Sequence, residues 1–473
     1  MRGCVGFVLL TVGCGGAAGG GAPDPGPPPQ PVTVSSASAP ANAGSAAGTP
    51  DATLRHLDAR VELVDGDGGL VVRGDVVWHV TLGPSRTVHL DAVGLEFTSV
   101  AQAGVGTALE MVKAPTHVTI GPIAGRPGDE ARVKLRYRAA PTRGLKRAGQ
   151  TAWTAFHTWH WLPVPSDPSQ RATLELGVTP PSDWEGAAVL ATGDGPLRSG
   201  PDIATKVPHP SYVWGFFVGA TGAVDRTEQA GLPVQVWTQK PGHRGASVAA
   251  AQTASAWRRW RDSGGAWPGG DTPEPYHQVF VPGTTATELA GMTFLPEAYL
   301  DRLASRPSDD ALLVRELVHQ VWGNRVTSAT WGDFWLHESF PTWWVSYDLS
   351  LRGETNETQR QAWRERVDAA IVQGEDLRVA RPGATASDAD GVVIDSGGAL
   401  ILDAFARSEP RRFVARVHAW GEEAMRQGHR NLTTREFLDG LALSPDERTR
   451  AETMLTSAAT ITEPPAAPSP PGR

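Results

Sequence analysis

The stretch that most constrains the fold is residues 314–340, which read VRELVHQVWGNRVTSATWGDFWLHESF. Glu316 and His319 have the spacing of the zinc-binding helix pattern H-E-x-x-H, but Arg315 occupies the place of the first histidine. Eighteen residues separate His319 from Glu338, which we place on a second helix. In an intact site of this kind, three protein ligands leave one position open for water, and Glu316 would be the base that activates it.

The exchange to arginine changes what this helix face can do. A guanidinium has no lone pair and is not deprotonated in proteins, so Arg315 cannot be a zinc ligand. We therefore expect the arginine to replace the ion by pairing with Glu338, Glu316 or both. The alternative that the helix pattern leaves open is an ordinary buried arginine–glutamate pair, unrelated to any metal.

Two other histidines could restore a metal site. His337 is next to Glu338, but on a helix its side chain points roughly 100° away. His277 lies on a candidate strand that could approach the site. With only His319 and Glu338 as ligands, zinc would be bound weakly, so we predict that zinc is doubtful as a cofactor and that no other cofactor is needed.

Length and charge narrow the class of protein. A chain of 473 residues suggests about three domains. The net charge of −8 and the absence of a basic cluster in the sequence argue against a nucleic-acid partner. No run of residues approaches the roughly 18 apolar residues that span a bilayer.

The N-terminus has the pattern of an exported protein. Residues 1–13 read as a signal peptide, and LTVGC resembles a bacterial lipobox in which Cys14 becomes lipidated. A plain signal peptide or a buried apolar N-terminus is the alternative. Residues 14–52, rich in Gly, Ala, Pro and Ser, predict a disordered tether, and residues 458–473 a disordered tail. We expect a cell-envelope protein anchored by lipid, and Gly15 fits the outer membrane of a bacterium.

The folded region divides by periodicity. Residues 53–224 alternate apolar and polar side chains, which predicts an all-β domain of packed sheets. The aromatic segment 153–161 within it predicts a core or interdomain contact, or alternatively a wall facing a substrate. Residues 232–457 have strands first and helices afterwards. The central helix is predicted over 309–322, with Ser308 as N-cap and Gly323 after its end.

Residues 314–340 resemble the membrane alanyl aminopeptidase family of gluzincin zinc metallopeptidases. In that family the H-E-x-x-H helix is followed by Gly-Asn-x-Val-Thr, then Trp-x-Asp-x-Trp-Leu and the glutamate ligand. The matching positions here are Gly323, Asn324, Val326, Thr327, Asp333, Trp335, Leu336 and Glu338. The resemblance implies an α+β multidomain fold, with an N-terminal all-β saddle followed by a thermolysin-like mixed and helical catalytic-type domain.

The resemblance also implies several losses. The family's Gly-x-Met-Glu-Asn strand, which contacts substrate, corresponds to residues 290–294 and includes Gly291 and Met292. Thr293 stands where the family's glutamate holds a free amine. The tyrosine that stabilises the oxyanion aligns with Ile394, and Pro341 should disturb the helix that carries Glu338.

These departures predict a pseudoenzyme. We expect a lipid-anchored cell-envelope protein of this family, catalytically inactive or impaired, that binds a peptide or protein ligand or acts as a scaffold. The alternative is an active zinc metallopeptidase or aminopeptidase with non-standard metal ligation. A third hypothesis, a solute-binding lipoprotein, depends only on the anchor and the tether.

Overall fold

The computed structural model describes residues 34–35, 52–66, 68–193, 203–221, 223–227, 231–239, 241–268, 274–385, 391–407, 410–441 and 443–457. The signal peptide, Cys14 and the tail lie outside these ranges. Within the predicted tether, Val34–Ser35 pairs in parallel with Met111 and Val112. This short strand is a departure from the prediction that the whole segment lacks structure.

The first part of the chain is rich in strands. Its alternating apolar positions face inward, as in the hairpin whose two long strands meet across the pair Gly66 and Gly69. These strands lie in sheets of seven, four and four strands. The strands are β1 (Val34–Ser35), β2 (Ala52–Gly66), β3 (Gly69–Leu82), β4 (Val88–Asp91), β5 (Leu95–Gln102), β6 (Met111–Lys113), β7 (His117–Ile120), β8 (Glu130–Ala139), β9 (Leu145–Ala148), β10 (Thr151–Thr154), β11 (Arg171–Thr179), β12 (Ala188–Ala191), β13 (Ile203–Ala204), β14 (His209–Pro210) and β15 (Phe216–Gly219).

The second part is mixed, with strands before helices. Its main sheet has five strands, and the first of them precedes residue 232, where we predicted this part to begin. The elements are β16 (Ala223–Thr227), β17 (Val234–Thr238), α1 (Arg244–Asp262), β18 (Tyr276–Val281), β19 (Thr287–Leu289), β20 (Met292–Pro296), α2 (Ala298–Ser305), α3 (Ala311–His319), β21 (Val326–Ser328), α4 (Trp335–Leu351), α5 (Glu357–Gln373), α6 (Gly398–Ala406), α7 (Pro410–Gln427), β22 (Arg430–Leu432), α8 (Thr434–Gly440) and α9 (Pro445–Thr456). The predicted α+β architecture is confirmed.

Three predictions about the central helices are wrong. Helix α3 begins after Asp310 and not after Ser308. The helix also ends at His319, before Gly323. Pro341 does not interrupt α4, which continues through it to Leu351. Buried aromatic side chains on both sides of the proline pack into the core and stabilise the helix there.

The aromatic segment is a contact between the two parts of the chain. Phe156 lies 5.9 Å from the rings of both Trp331 and Phe334, centroid to centroid. Arg171, on β11, donates hydrogen bonds to the Asn431 side chain at 3.1 Å and to the Asn324 carbonyl at 3.3 Å. These contacts fix the β-rich part against the loop that follows α3, and so against the site described next.

Candidate active site

Helices α3 and α4 present the site residues from opposite sides. The apolar face of α3, including Leu313 and Leu317, is fully buried, which fixes the rotation of the helix about its axis. Glu316 and His319 are buried on this helix with 0% exposure each. Glu338 lies in the first turn of α4. Packing between the two helices therefore brings the predicted ligand and base positions together.

Arg315 bridges the two carboxylates. Its Nη1 donates to Glu316 Oε1 at 2.7 Å, its Nη2 donates to Glu338 Oε2, and its Nε donates to Thr342 Oγ1 at 3.1 Å. Its side chain is 22% exposed. All three nitrogens of the guanidinium thus donate a hydrogen bond, two of them to carboxylates. Charge-assisted hydrogen bonds of this kind are stronger than neutral ones. This is the pairing with both glutamates that the sequence led us to expect.

The family's zinc does not fit the residues present at these positions. The guanidinium of Arg315 occupies the space between Glu316 and Glu338, offers no lone pair and has the same charge sign as a metal. One oxygen of Glu338 already accepts from Arg315. A zinc ion bound as in an intact H-E-x-x-H site would have to displace this network.

The His337 side chain points into the site, next to His319 and Glu288. Its ring lies 4.9 Å from the ring of His319, and its Nε2 is 2.8 Å from Glu288 Oε1. The stacking of the ring on Phe334, at 4.5 Å and 13°, sets this direction. The expectation that His337 points away from the site was therefore wrong. The other candidate, His277, is buried beside Trp237, whose Nε1 lies 3.4 Å from its Nδ1.

The sequence reasoning missed Glu288 altogether. This residue is on β19, and one oxygen of it lies within 4.8 Å of one ring nitrogen each from His319 and His337. The three residues come from β19, α3 and α4, so no local spacing in the sequence relates them. The only signal was the position of Glu288 just before the Gly291 and Met292 strand.

Burial governs the electrostatics of the site. It raises the pKa of Glu316 to about 8 and that of Glu338 to about 7, against the opposing charge of Arg315. Burial would also raise the pKa of Glu288, but the hydrogen bond from His337 and the nearby charge of Arg315 act against it, and the pKa is lowered. For His319, burial and the charge of Arg315 hold the pKa well below its usual value, which keeps the imidazole neutral.

The residues that align with the family's substrate-contacting strand, and Ile394, have no charged side chain. Thr293 is fully buried, and its Oγ1 lies 2.7 Å from the hydroxyl of Tyr276. The Gly291 N–H donates to Gln320 Oε1 at 2.9 Å, and Met292 is buried in the core. Ile394 is buried too, and its carbonyl accepts from Ser339 Oγ at 2.5 Å. Neither Thr293 nor Ile394 can supply the amine anchor or the phenolic donor.

A very small cavity opens beside this strand. Its volume next to Gly291 is about 10 Å³, which is room for about one water molecule. Its polar lining includes Glu274, Gln320 and Arg325, and Trp267 and Tyr276 provide an apolar wall.

The fold and site define a metallopeptidase-like protein whose ligand position is taken by an arginine. The model described as "Peptidase family M1 domain" matches residues 283–379. Among curated proteins, the glutamyl aminopeptidase of Sus scrofa is 28% identical over 193 residues, which is 38% of this chain and 20% of that protein. The Bos taurus enzyme is 24% identical over 261 residues, which is 51% and 27% of the two chains. The chain thus matches only about a quarter or less of these relatives' length.

Solved structures agree with the fold. The M1 zinc metallopeptidase from Deinococcus radiodurans has a TM-score of 0.64 at 21% identity, covering 89% of this chain and 98% of that one. The leukotriene A4 hydrolase from Saccharomyces cerevisiae has a TM-score of 0.68 at 16% identity, covering 89% and 69%. Residues 283–379 are thus similar to the M1 peptidase family, and the fold of the chain is similar to that of these two solved structures.

Proposed function

We propose that this protein is a lipid-anchored cell-envelope member of the M1 family that does not hydrolyse peptides and instead binds a peptide or protein ligand. The observation that carries the proposal is the Arg315 guanidinium, which pairs with Glu316 and Glu338 where a zinc ligand would be needed. Without the metal, the attacking water loses its activation.

Two further losses support the same proposal. A missing oxyanion donor typically costs about 3 kcal/mol of transition-state stabilisation, and Ile394 has no hydroxyl to offer. Thr293 has no charge that could hold a substrate ammonium, and its hydroxyl is engaged with Tyr276. Each loss alone is compatible with an altered enzyme. Together they remove the activation of the nucleophile, the stabilisation of the oxyanion and the anchor for the substrate amine.

A protein of similar fold supports the proposed ligand class. The M1 zinc metallopeptidase from Deinococcus radiodurans has been crystallised, as a mutant, with the substrate Tyr-Ser-Ala bound. Short peptides are therefore the ligand class that we propose.

The test of lost catalysis compares wild type with Arg315→His. Both proteins are assayed in excess zinc on aminoacyl and internally cleaved fluorogenic peptides. We expect no zinc-dependent hydrolysis by wild type, and none by Arg315→His, because the Thr293 and Ile394 losses remain. Zinc-dependent turnover by wild type, abolished by Glu316→Gln, would refute the proposed loss of catalysis. Arg315→Lys is the matched control, since it keeps the charge and restores no ligand.

The proposed anchor has its own test. No helix in the described part of the chain is both long and apolar enough to cross a bilayer. If lipid on Cys14 holds the protein at the membrane, wild type expressed in a bacterium should incorporate labelled palmitate and fractionate with the outer membrane. Cys14→Ser should be released in soluble form. Membrane fractionation of the serine variant without label would contradict the anchor.

The second candidate function is an active metallopeptidase with non-standard ligation. The observation that favours it is the group formed by Glu288, His319 and His337, whose ligand atoms lie within 4.8 Å of one another. This candidate predicts stoichiometric zinc and hydrolysis that are lost together in His319→Ala. Zinc without hydrolysis would leave the first proposal standing.

A further inference from the structure

Three side chains behind the arginine form a separate group. Glu288 on β19, His319 on α3 and His337 on α4 each offer one ligand atom, and these atoms lie within 4.8 Å of one another. Two nitrogens and one carboxylate oxygen are a donor set that suits Zn²⁺ and similar divalent transition metals. Only His319 is shared with the ligand positions of the intact family site.

His319 provides independent evidence for a ligand. It is completely buried, yet neither of its ring nitrogens has a hydrogen-bond partner among the described residues. Buried polar groups in folded proteins are normally paired, and an orphan implies a cost that a bound partner would remove. The ring lies 4.9 Å from that of His337, so its unused nitrogens border the group.

Gly323 leaves room for both rings. A side-chain carbon at this position would lie 2.7 Å from Cε1 and 2.9 Å from Nδ1 of His337, and 3.0 Å from Nδ1 of His319. Its φ of +120° is also a conformation that other residues rarely adopt. The loop after α3 therefore keeps the space around the two imidazoles free of side chains.

Glu288 is placed differently from the other two buried carboxylates of the site. The Arg315 guanidinium contacts Glu316 and Glu338, whereas Glu288 Oε1 lies 2.8 Å from His337 Nε2. The Glu288 side chain is only 11% exposed. Glu288 is therefore the carboxylate that is positioned to bind an ion together with the two histidines.

We propose that Glu288, His319 and His337 bind a divalent transition metal of the zinc class at a site displaced from the family's ligand positions. Arg315 keeps its pairing with Glu338 while the ion is bound. The second oxygen of Glu338 lies 3.5 Å from His337 Nε2 and is the nearest candidate for a fourth ligand. Four protein ligands close the coordination sphere, as in structural and not catalytic zinc sites.

Binding requires the three ligand atoms, which lie within 4.8 Å of one another, to adjust to the spacing around one ion. Around a tetrahedral zinc, ligand atoms at 2.0–2.1 Å from the ion are about 3.3 Å apart, whereas His337 Nε2 and Glu288 Oε1 are now 2.8 Å apart. The ion takes the place of the proton between these atoms. The neutral His337 ring then carries its proton on Nδ1, which lies 3.5 Å from the Tyr212 hydroxyl. Such outer partners fix the tautomer of ligating histidines.

The experiment uses the full chain, stripped of metal by a chelator, and titrates it with Zn²⁺ alone and with Co²⁺ alone. We expect one ion per chain, visible Co²⁺ absorption typical of a tetrahedral site, and a higher thermal midpoint with Zn²⁺. Glu288→Gln and His337→Gln should each weaken Zn²⁺ binding by more than the roughly 10–100-fold that loss of an outer partner of a ligand costs. His418→Gln, at a buried histidine outside the group, is the matched control and should bind as wild type does.

The thermal midpoint measured in chelator distinguishes a variant that is misfolded from one that has only lost a metal-binding side chain. A variant that folds like wild type without metal, but gains nothing from Zn²⁺, supports the site. Absence of Zn²⁺ binding by wild type, or binding that Glu288→Gln and His337→Gln leave unchanged, overturns it. This site does not depend on the proposed function: hydrolysis by the zinc-loaded protein would refute the lost catalysis alone, and absence of both zinc and hydrolysis would refute the metal site alone.

Discussion

Replacing Arg315 with methionine tests whether the arginine compensates the carboxylates of the site. Methionine keeps much of the length and apolar stem but removes the charge and the three hydrogen bonds to Glu316, Glu338 and Thr342. Removing one partner of a buried ion pair costs about 3–5 kcal/mol, because the other charge is left uncompensated. Since the Arg315 side chain is 22% exposed, we expect the lower end, about 3 kcal/mol.

The assay is urea unfolding in chelator at neutral pH, combined with a double-mutant cycle. Thr342→Val is the comparison variant, because it removes the hydroxyl that accepts from Arg315 and donates to Asp395 but leaves the Arg315 charge in place, and it should cost about 1.5 kcal/mol. In the cycle with Glu338→Gln, the double variant should lose less than the sum of the two single losses, by at least about 1 kcal/mol. An Arg315→Met loss below about 1 kcal/mol that adds to the Glu338→Gln loss would show that the arginine does not compensate the carboxylates.

Three other predictions concern the scaffold. Arg171→Ala removes the hydrogen bonds that join the two parts of the chain and should lower the free energy of unfolding by about 3 kcal/mol; unchanged urea unfolding would contradict this. In Gly398→Ala the new carbon would lie 1.8 Å from Ser339 Oγ, so we expect a loss of about 1–3 kcal/mol that Ser339→Gly partly restores. Burial lowers the pKa of His418 to about 4 from its usual 6.5, so its contribution is complete above pH 6.5 and is lost as the pH falls through 4, by about 3 kcal/mol. His418→Gln should lack this component when unfolding is measured from pH 7 to 4.

Periodicity in the sequence predicted much of the scaffold. The alternation in residues 53–224 predicted sheets, and the order of strands before helices predicted for residues 232–457 is the order in the structure. The start of α3 was harder, because Ser308 has a good capping side chain, whereas the helix begins after Asp310, whose side chain bonds to Arg352 and caps nothing. A single sequence does not show such a tertiary contact. Helix α9 was missed because its 12 residues include few apolar positions.

The sequence likewise predicted one part of the site and not the rest. The pairing of Arg315 with Glu316 and Glu338 followed from residue chemistry and from spacing on two helices. The direction of His337 did not, because helix geometry gives only an angle relative to Glu338, while Phe334 and Tyr212 set the final position of the ring. Glu288 could not be found from spacing at all, since β19 reaches the site only through the order of the five-stranded sheet.

The arginine and the proposed displaced ion are compatible because they serve different partners. The guanidinium reaches Glu316 and Glu338, whereas Glu288 lies against His337 and the ring nitrogens of His319 have no hydrogen-bond partner among the described residues. An ion among Glu288, His319 and His337 would bind these groups without competing for the Glu338 oxygen that Arg315 holds. Loss of the first histidine ligand therefore need not abolish metal binding in such a fold. The ion would then lie apart from Glu316, so metal binding would be separated from the activation of water.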